Sequence, residues 1–157
     1  MKCLLALAMA GTWCLGQSAE VRRWADHWAD KYGVERELVY AVIEAESGGK
    51  PSAVSSAEAA GVMQLMPDTA TAFRVRNRFD VEDNVRAGVA YLAWLRGLCG
   101  GDRRLIMASY IAGQNLVLRV GLNFGYSKEI HNYVIRVAYL YRRNRWETLL
   151  REGVDRK

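Results

Sequence analysis

Glu46 stands four residues after Val42 and three after Ile43, at the end of the run Leu38-Val39-Tyr40-Ala41-Val42-Ile43-Glu44-Ala45-Glu46. At about 100° per residue, helical spacing puts its carboxylate on the apolar face those residues define. Glu44, two residues back, lies about 200° around the same helix and is expected to face solvent. The next residues, Ser47-Gly48-Gly49-Lys50-Pro51, form a strong helix breaker that can open a cleft beside the acid. A carboxyl group held at a buried helix end is poorly hydrated, which raises its pKa and makes it a proton donor near neutral pH. Cleavage of a glycosidic bond requires such an acid. Spacing alone also fits a carboxylate that bonds its own helix end or pairs with an arginine.

The elements that must position Glu46 read as helices. Val21, Trp24, Ala25, Trp28 and Tyr32 recur at helical spacing, with Gly33 as a stop. A second helix is predicted from about Glu35 to Glu46, turning Leu38, Val39, Val42 and Ile43 inward. Residues 52–66 are small, Ala/Ser-rich and irregular, and Pro67-Asp68-Thr69 suits a first helical turn. Asp80 can cap a helix whose inward stripe is Val85, Val89, Leu92 and Leu95. Further helices are expected over Arg103 to Ala112, stopped by Gly113, and from near Ser127, burying Ile130, Tyr133, Val134, Val137 and Tyr141. No stretch alternates in the manner of a strand. An all-α single domain of about six helices follows, with a short β-like excursion near residues 52–66.

The chain has 157 residues, enough for one domain with one core. It is 51% apolar and 25% charged with only two prolines, an ordinary globular composition without linkers or repeats. Lys2 followed by the mostly apolar run Cys3 to Gly16 reads as a secretory signal, too short for a membrane-spanning helix of about 20 residues. Gly16-Gln17-Ser18-Ala19 suits cleavage just before or after Ala19, and Trp13 before Cys14 does not suit a lipid-attachment site. An uncleaved anchor or a buried first helix is the other reading of this run. Cleavage would leave Cys99 as the one cysteine, so no intrachain disulfide is expected and Cys99 reads as packing. No metal-ligand spacing and no cofactor motif occurs. The formal charge of +5 is weighted late, with Arg136, Arg142, Arg143, Arg145, Arg151, Arg156 and Lys157. A basic surface attracts polyanions, but no nucleic-acid motif accompanies it; an envelope polyanion or a merely solvated face is expected.

Four blocks in order resemble the lytic transglycosylase domain, a relative of goose-type lysozyme, over roughly residues 22–141. The first is Ala41-Val42-Ile43-Glu44-Ala45-Glu46-Ser47-Gly48. The second runs from Ala53-Val54-Ser55 to Ala59-Ala60-Gly61-Val62-Met63-Gln64-Leu65-Met66-Pro67-Asp68-Thr69-Ala70. The third spans Asp80 through Asn84-Val85-Arg86-Ala87-Gly88 to Tyr91-Leu92, and the fourth is Ser109-Tyr110-Ile111-Ala112-Gly113 with Asn132-Tyr133-Val134. The resemblance implies a lysozyme-like helical fold over residues 20–141, after a signal at 1–19 and before a basic extension at 142–157. It implies Glu46 as the catalytic carboxylate and Ser55, Met63, Gln64, Tyr110 and Tyr133 along a sugar groove, with Tyr133 holding Glu46. Gln64 can both donate to and accept from a sugar amide or hydroxyl, and Met63 and Met66 suit adaptable apolar walls.

By the same resemblance the substrate is the peptidoglycan glycan strand. Glu46 would protonate the oxygen between N-acetylmuramic acid and N-acetylglucosamine, then as carboxylate accept the proton of the muramoyl C6 hydroxyl, giving a 1,6-anhydro product. No cofactor or metal is implied. A monomer in the periplasm or cell envelope is expected, serving wall turnover, a secretion or conjugation machine, or a phage. Two positions depart from the family's pattern: Ile111 stands where Asn is usual, and Glu58 where Gly usually precedes Ala59. The first bears on groove geometry. The second is either surface charge or a second carboxylate favouring hydrolysis. A hydrolytic muramidase and a catalytically weakened peptidoglycan-binding accessory of a secretion system are the alternatives.

Overall fold

The computed structural model of the protein describes residues 17–121 and 127–154. Residues 1–16, most of the expected signal, lie outside the described residues. α1 (Gln17–Tyr32) and α2 (Arg36–Glu46) are joined at Gly33, whose φ of 64° is the left-handed turn a glycine provides. α3 (Pro67–Ala72) starts on its proline, and α4 (Val81–Leu98) starts where the Asp80 side chain accepts a hydrogen bond from the Asp83 amide at 2.8 Å. Asp102 caps α5 (Arg103–Ala112) in the same way, accepting from the Arg104 amide. α6 (Gln114–Val120) follows directly, and α7 (Lys128–Val154) closes the fold.

Among the described residues there are thus seven helices and no strand, one helix more than the sequence suggests. The additional helix, α6, is a seven-residue segment between Gly113 and Gly121, too short to show a helical repeat. The β-like excursion is present as two isolated bridges, Val54 with Ala60 and Ala60 with Leu65. α7 runs unbroken through the boundary expected at residue 141, so the basic segment up to Val154 is the second half of a helix rather than a separate extension. Buried Asn144 ties that half down by donating to the Glu37 carbonyl at 3.3 Å.

The helices pack in a ring. α2 lies between α1 and α7, α1 rests on α4, α4 on α5, and α5 on α7. Val39, Val42 and Ile43 of α2 and Val85, Val89 and Leu95 of α4 are wholly enclosed, as their stripes require. Cys99 is buried in the same core. Burial of six such side chains at about 1.5–3 kcal/mol each is what holds the carboxylate-bearing end of α2 in place.

The loop of residues 47–66 lacks a regular ladder, so its backbone groups need other partners. Asn84, fully buried on α4, supplies two: its carboxamide oxygen accepts from the Met63 amide at 2.7 Å and its nitrogen donates to the Ala60 carbonyl at 3.0 Å, while the same nitrogen also donates to the Arg78 carbonyl beyond the loop at 2.8 Å. Gly61 has to be glycine, because a Cβ there would stand 2.1 Å from the Arg78 carbonyl oxygen. Glu58 takes φ of 66° in the same loop. The glycine expected at this position by resemblance would adopt that angle without the Cβ clash.

Asn84→Ala is therefore predicted to cost about 3 kcal/mol in denaturant unfolding, since it leaves the buried Met63 amide and the part-buried Arg78 carbonyl without partners and removes one of the two bonds to the Ala60 carbonyl. Glu58→Gly is predicted to stabilise the fold by about 0.5–1 kcal/mol by the same measurement, because relief of the left-handed strain exceeds the added unfolded-chain entropy. Destabilisation by Glu58→Gly would mean that its side chain makes a contact worth more than the strain.

Candidate active site

The end of α2 presents Glu46 to the inner face of α7. The Tyr133 hydroxyl donates to Oε1 of Glu46 at 2.5 Å, bridging two elements 87 residues apart in the chain. Burial is the largest influence on the Glu46 carboxyl and raises its pKa from 4.5 to about 7. The Tyr133 hydrogen bond and the positive charge of Arg136 oppose that shift without cancelling it. Tyr133 and Tyr110 are both pushed well above the ordinary phenol range by burial and then by the Glu46 charge. Both therefore keep their protons and act as donors.

Tyr110 turns its hydroxyl to the Met63 carbonyl at 2.8 Å, and its ring lies 5.4 Å from that of Tyr91. Tyr91 in turn reaches the Gln114 carboxamide oxygen at 3.2 Å, which docks α6 beside the site. Ser47, the residue after Glu46, donates from Oγ to the Val62 carbonyl at 2.6 Å and accepts from the amides of Gly49 and Lys50. It thereby terminates α2 and clamps the helix end to the groove loop. Its hydroxyl and the Asn84 carboxamide are the two organising groups that sequence reasoning left without a role. Both belong to the motifs around Glu46 and at the start of α4, and a small polar residue at a helix terminus is the sequence signal for such a role.

The expected groove residues divide. Tyr133 and Tyr110 converge on Glu46. Met63 is fully enclosed, with its sulfur packed against Gly88, where a Cβ would come within 2.3 Å. Its side chain is core rather than a groove wall, and what it offers the site is the carbonyl that receives Tyr110. Met66, by contrast, is exposed. Gln64 adopts φ of 48° and donates its side-chain nitrogen to the carbonyls of Ala53 and Gly61, both at 3.0 Å, bracing the loop. Ser55 accepts from the amides of Ala57 and Ala59, so its oxygen shapes the turn before the groove. Ile111 and Glu58 are solvent-exposed.

Glu44 does not face open water. Arg143 of α7 donates to both its carboxylate oxygens, at 3.1 and 2.5 Å, in a half-buried bidentate pair on the α2 to α7 seam. The two acids at the end of α2 thus have separate fates: Glu44 is paired with a cation and Glu46 is paired with a neutral hydroxyl. The second, Glu46, is the one whose carboxyl pKa is raised to about 7. Among the described residues no group of three His, Cys, Asp or Glu side chains could hold a metal ion.

The family model described as the Transglycosylase SLT domain matches residues 23–133, a span that includes Glu46, the loop, Asn84, Tyr110 and Tyr133. The membrane-bound lytic murein transglycosylases C of Yersinia enterocolitica and Serratia proteamaculans are each 36% identical over 110 residues, covering 59% of this chain and 31% of theirs. The chain therefore corresponds to about a third of the length of those relatives. The fold is similar to that of an inactive mutant of the lytic transglycosylase Slt of Pseudomonas aeruginosa, with a TM-score of 0.73 and 24% identity over 81% of this chain and 24% of that one. It is equally similar to the 70 kDa soluble lytic transglycosylase of Escherichia coli, at TM-score 0.73 and 23% identity over 80% of this chain and 24% of that one. With the helix-end glutamate, its tyrosine and the braced loop all inside the matched span, the chain belongs to the transglycosylase SLT domain family.

Proposed function

We propose that the protein is a peptidoglycan lytic transglycosylase in which Glu46 serves as acid and then as base. The observation that carries this reading is a half-buried carboxyl with a pKa of about 7 held by Tyr133. Near neutrality such a group exists as both acid and carboxylate, which suits one residue to both proton transfers. In the first, the Glu46 proton goes to the glycosidic oxygen as its bond to muramoyl C1 breaks. In the second, the Glu46 carboxylate takes the proton of the C6 hydroxyl as that oxygen bonds to C1. Glu46 ends as it began and no water is consumed. The pairing of Glu44 with Arg143 supports a one-carboxylate scheme over the two-carboxylate scheme of most glycosidases. The presence of the whole Glu46, Tyr133 and Tyr110 arrangement weighs against a catalytically weakened peptidoglycan-binding accessory, Ile111 notwithstanding. The apolar run at residues 3–16, read as an export signal with cleavage near Ala19, supports action in the periplasm or cell envelope. The glycan strand is the partner there, and a secretion or conjugation machine is a setting in which a small wall-opening enzyme would work.

Digestion of purified sacculi with the protein is expected to release muropeptides lighter by one water than the hydrolysed products. Release of the heavier, hydrated products would establish the muramidase reading instead. Glu46→Gln is expected to lower release by about a thousandfold, whereas Glu44→Gln, which loses only a partly exposed ion pair, should keep activity and lose about 1 kcal/mol of stability or less.

Two pH effects follow from the raised pKa. Activity should fall as pH rises through about 7, where Glu46 loses the proton it must donate. Tyr133→Phe removes a bond that favours the ionised form, so the alkaline limb should move upward while the rate falls about tenfold; an unmoved limb would detach Tyr133 from Glu46. Stability carries the same sign. A folded-state pKa above the unfolded value gives stability that is complete below the unfolded pKa and lost as pH rises through 7. At about pH 8, Glu46→Gln should therefore unfold less readily than the parent by about 2 kcal/mol.

A further inference from the structure

The outer face of α7 carries an apolar stripe that the fold does not cover. Ile135, Tyr139, Trp146, Leu149 and Leu150 are 53, 59, 64, 45 and 52% exposed. At about 100° per residue their side chains fall within roughly one third of the helix circumference. They lie opposite Tyr133, Val137 and Asn144, which face the body of the protein. Arg142 sits in the middle of the stripe, and Arg136 and Arg145 lie along its flanks, all three solvent-exposed; Arg145 also comes within 3.7 Å of Glu37, and Arg136 donates to the Glu44 carbonyl at 3.5 Å. Glu147 also lies on a flank, within 3.7 Å of Arg143 and 3.9 Å of Arg151, which partly offset it. Beyond Thr148 the remaining described side chains of the helix are exposed on every face.

We propose that this face of α7 docks on an anionic lipid bilayer. Trp146 and Tyr139 have the apolar body and polar tip suited to the headgroup level, and the leucines and Ile135 reach the acyl boundary. The arginines pair with lipid phosphates while their stems lie along the apolar surface. A second copy of the chain fits less well, because antiparallel pairing along the stripe would bring Arg142 against its own symmetry mate. Docking here leaves the groove clear, since Tyr133 and Glu46 lie on the other side of the helix. The inference is independent of the proposed reaction.

The test is co-sedimentation of the full chain with vesicles of phosphatidylcholine containing phosphatidylglycerol and with vesicles of phosphatidylcholine alone. Binding to the anionic vesicles, weakened by high salt, is expected. The double variant Tyr139→Glu with Trp146→Glu should lower partitioning by about tenfold or more, and Arg142→Glu should lower it measurably, both with unchanged muropeptide release from sacculi in the absence of vesicles. The apolar run at residues 3–16 is common to parent and variants. Undiminished binding by the double variant would assign attachment to that run or to another surface and overturn the proposal. No binding by the parent, or a sedimentation velocity showing a dimer that the double variant abolishes, would overturn it as well.

Discussion

A carboxyl group and a phenol sharing one proton-rich contact at the end of α2 govern the rest of the molecule. Burial at Glu46 disfavours its charge, and the Tyr133 hydroxyl at 2.5 Å favours it. The balance leaves the acid near neutrality. Deeper burial without the tyrosine would lock the proton on, and a cation in place of the tyrosine would strip it off. The helical ring is the means of holding α2 and α7 at the separation where a phenol just reaches the carboxylate.

The groove loop follows from the same constraint. An irregular segment beside a half-buried acid has to satisfy its backbone without excluding substrate. It does so with polar side chains reaching into it: Ser47 to Val62, Asn84 to Ala60 and Met63, Tyr110 to Met63, and Gln64 to Ala53 and Gly61. Left-handed backbone at Glu58, Gly61 and Gln64 lets the chain turn tightly enough to make these bonds. The strain at the two non-glycine positions is offset by the network rather than relieved locally.

Helix identity and phase were legible in the amino acids because both depend on local periodicity. The inward stripes of α2 and α4, the cap at Asp80 and the stops at Gly33 and Gly113 are all read from a few consecutive residues, and so is the inward direction of Tyr133. What local pattern does not encode is the partner on another element. Glu44 was expected in water on helical phase alone, yet α7 crosses there and brings Arg143. Met63 and Gln64 sit within a groove-like motif, yet one packs on Gly88 and the other braces its own loop. The roles of Ser47 and Asn84 are not legible because a side chain bonded to distant backbone leaves no repeat in the sequence. α6, at seven residues, completes fewer than two turns of any stripe and is fixed instead by Tyr91 reaching Gln114.

The central claim is that Glu46 holds its proton at near-neutral pH inside the folded protein. A carbon-13 NMR titration of the glutamate carboxyl signals, with the Glu46 resonance assigned by its disappearance in Glu46→Gln, measures this directly. A midpoint near 7 is the predicted result. A midpoint close to the ordinary 4.5 would show a fully hydrated carboxylate and contradict the account.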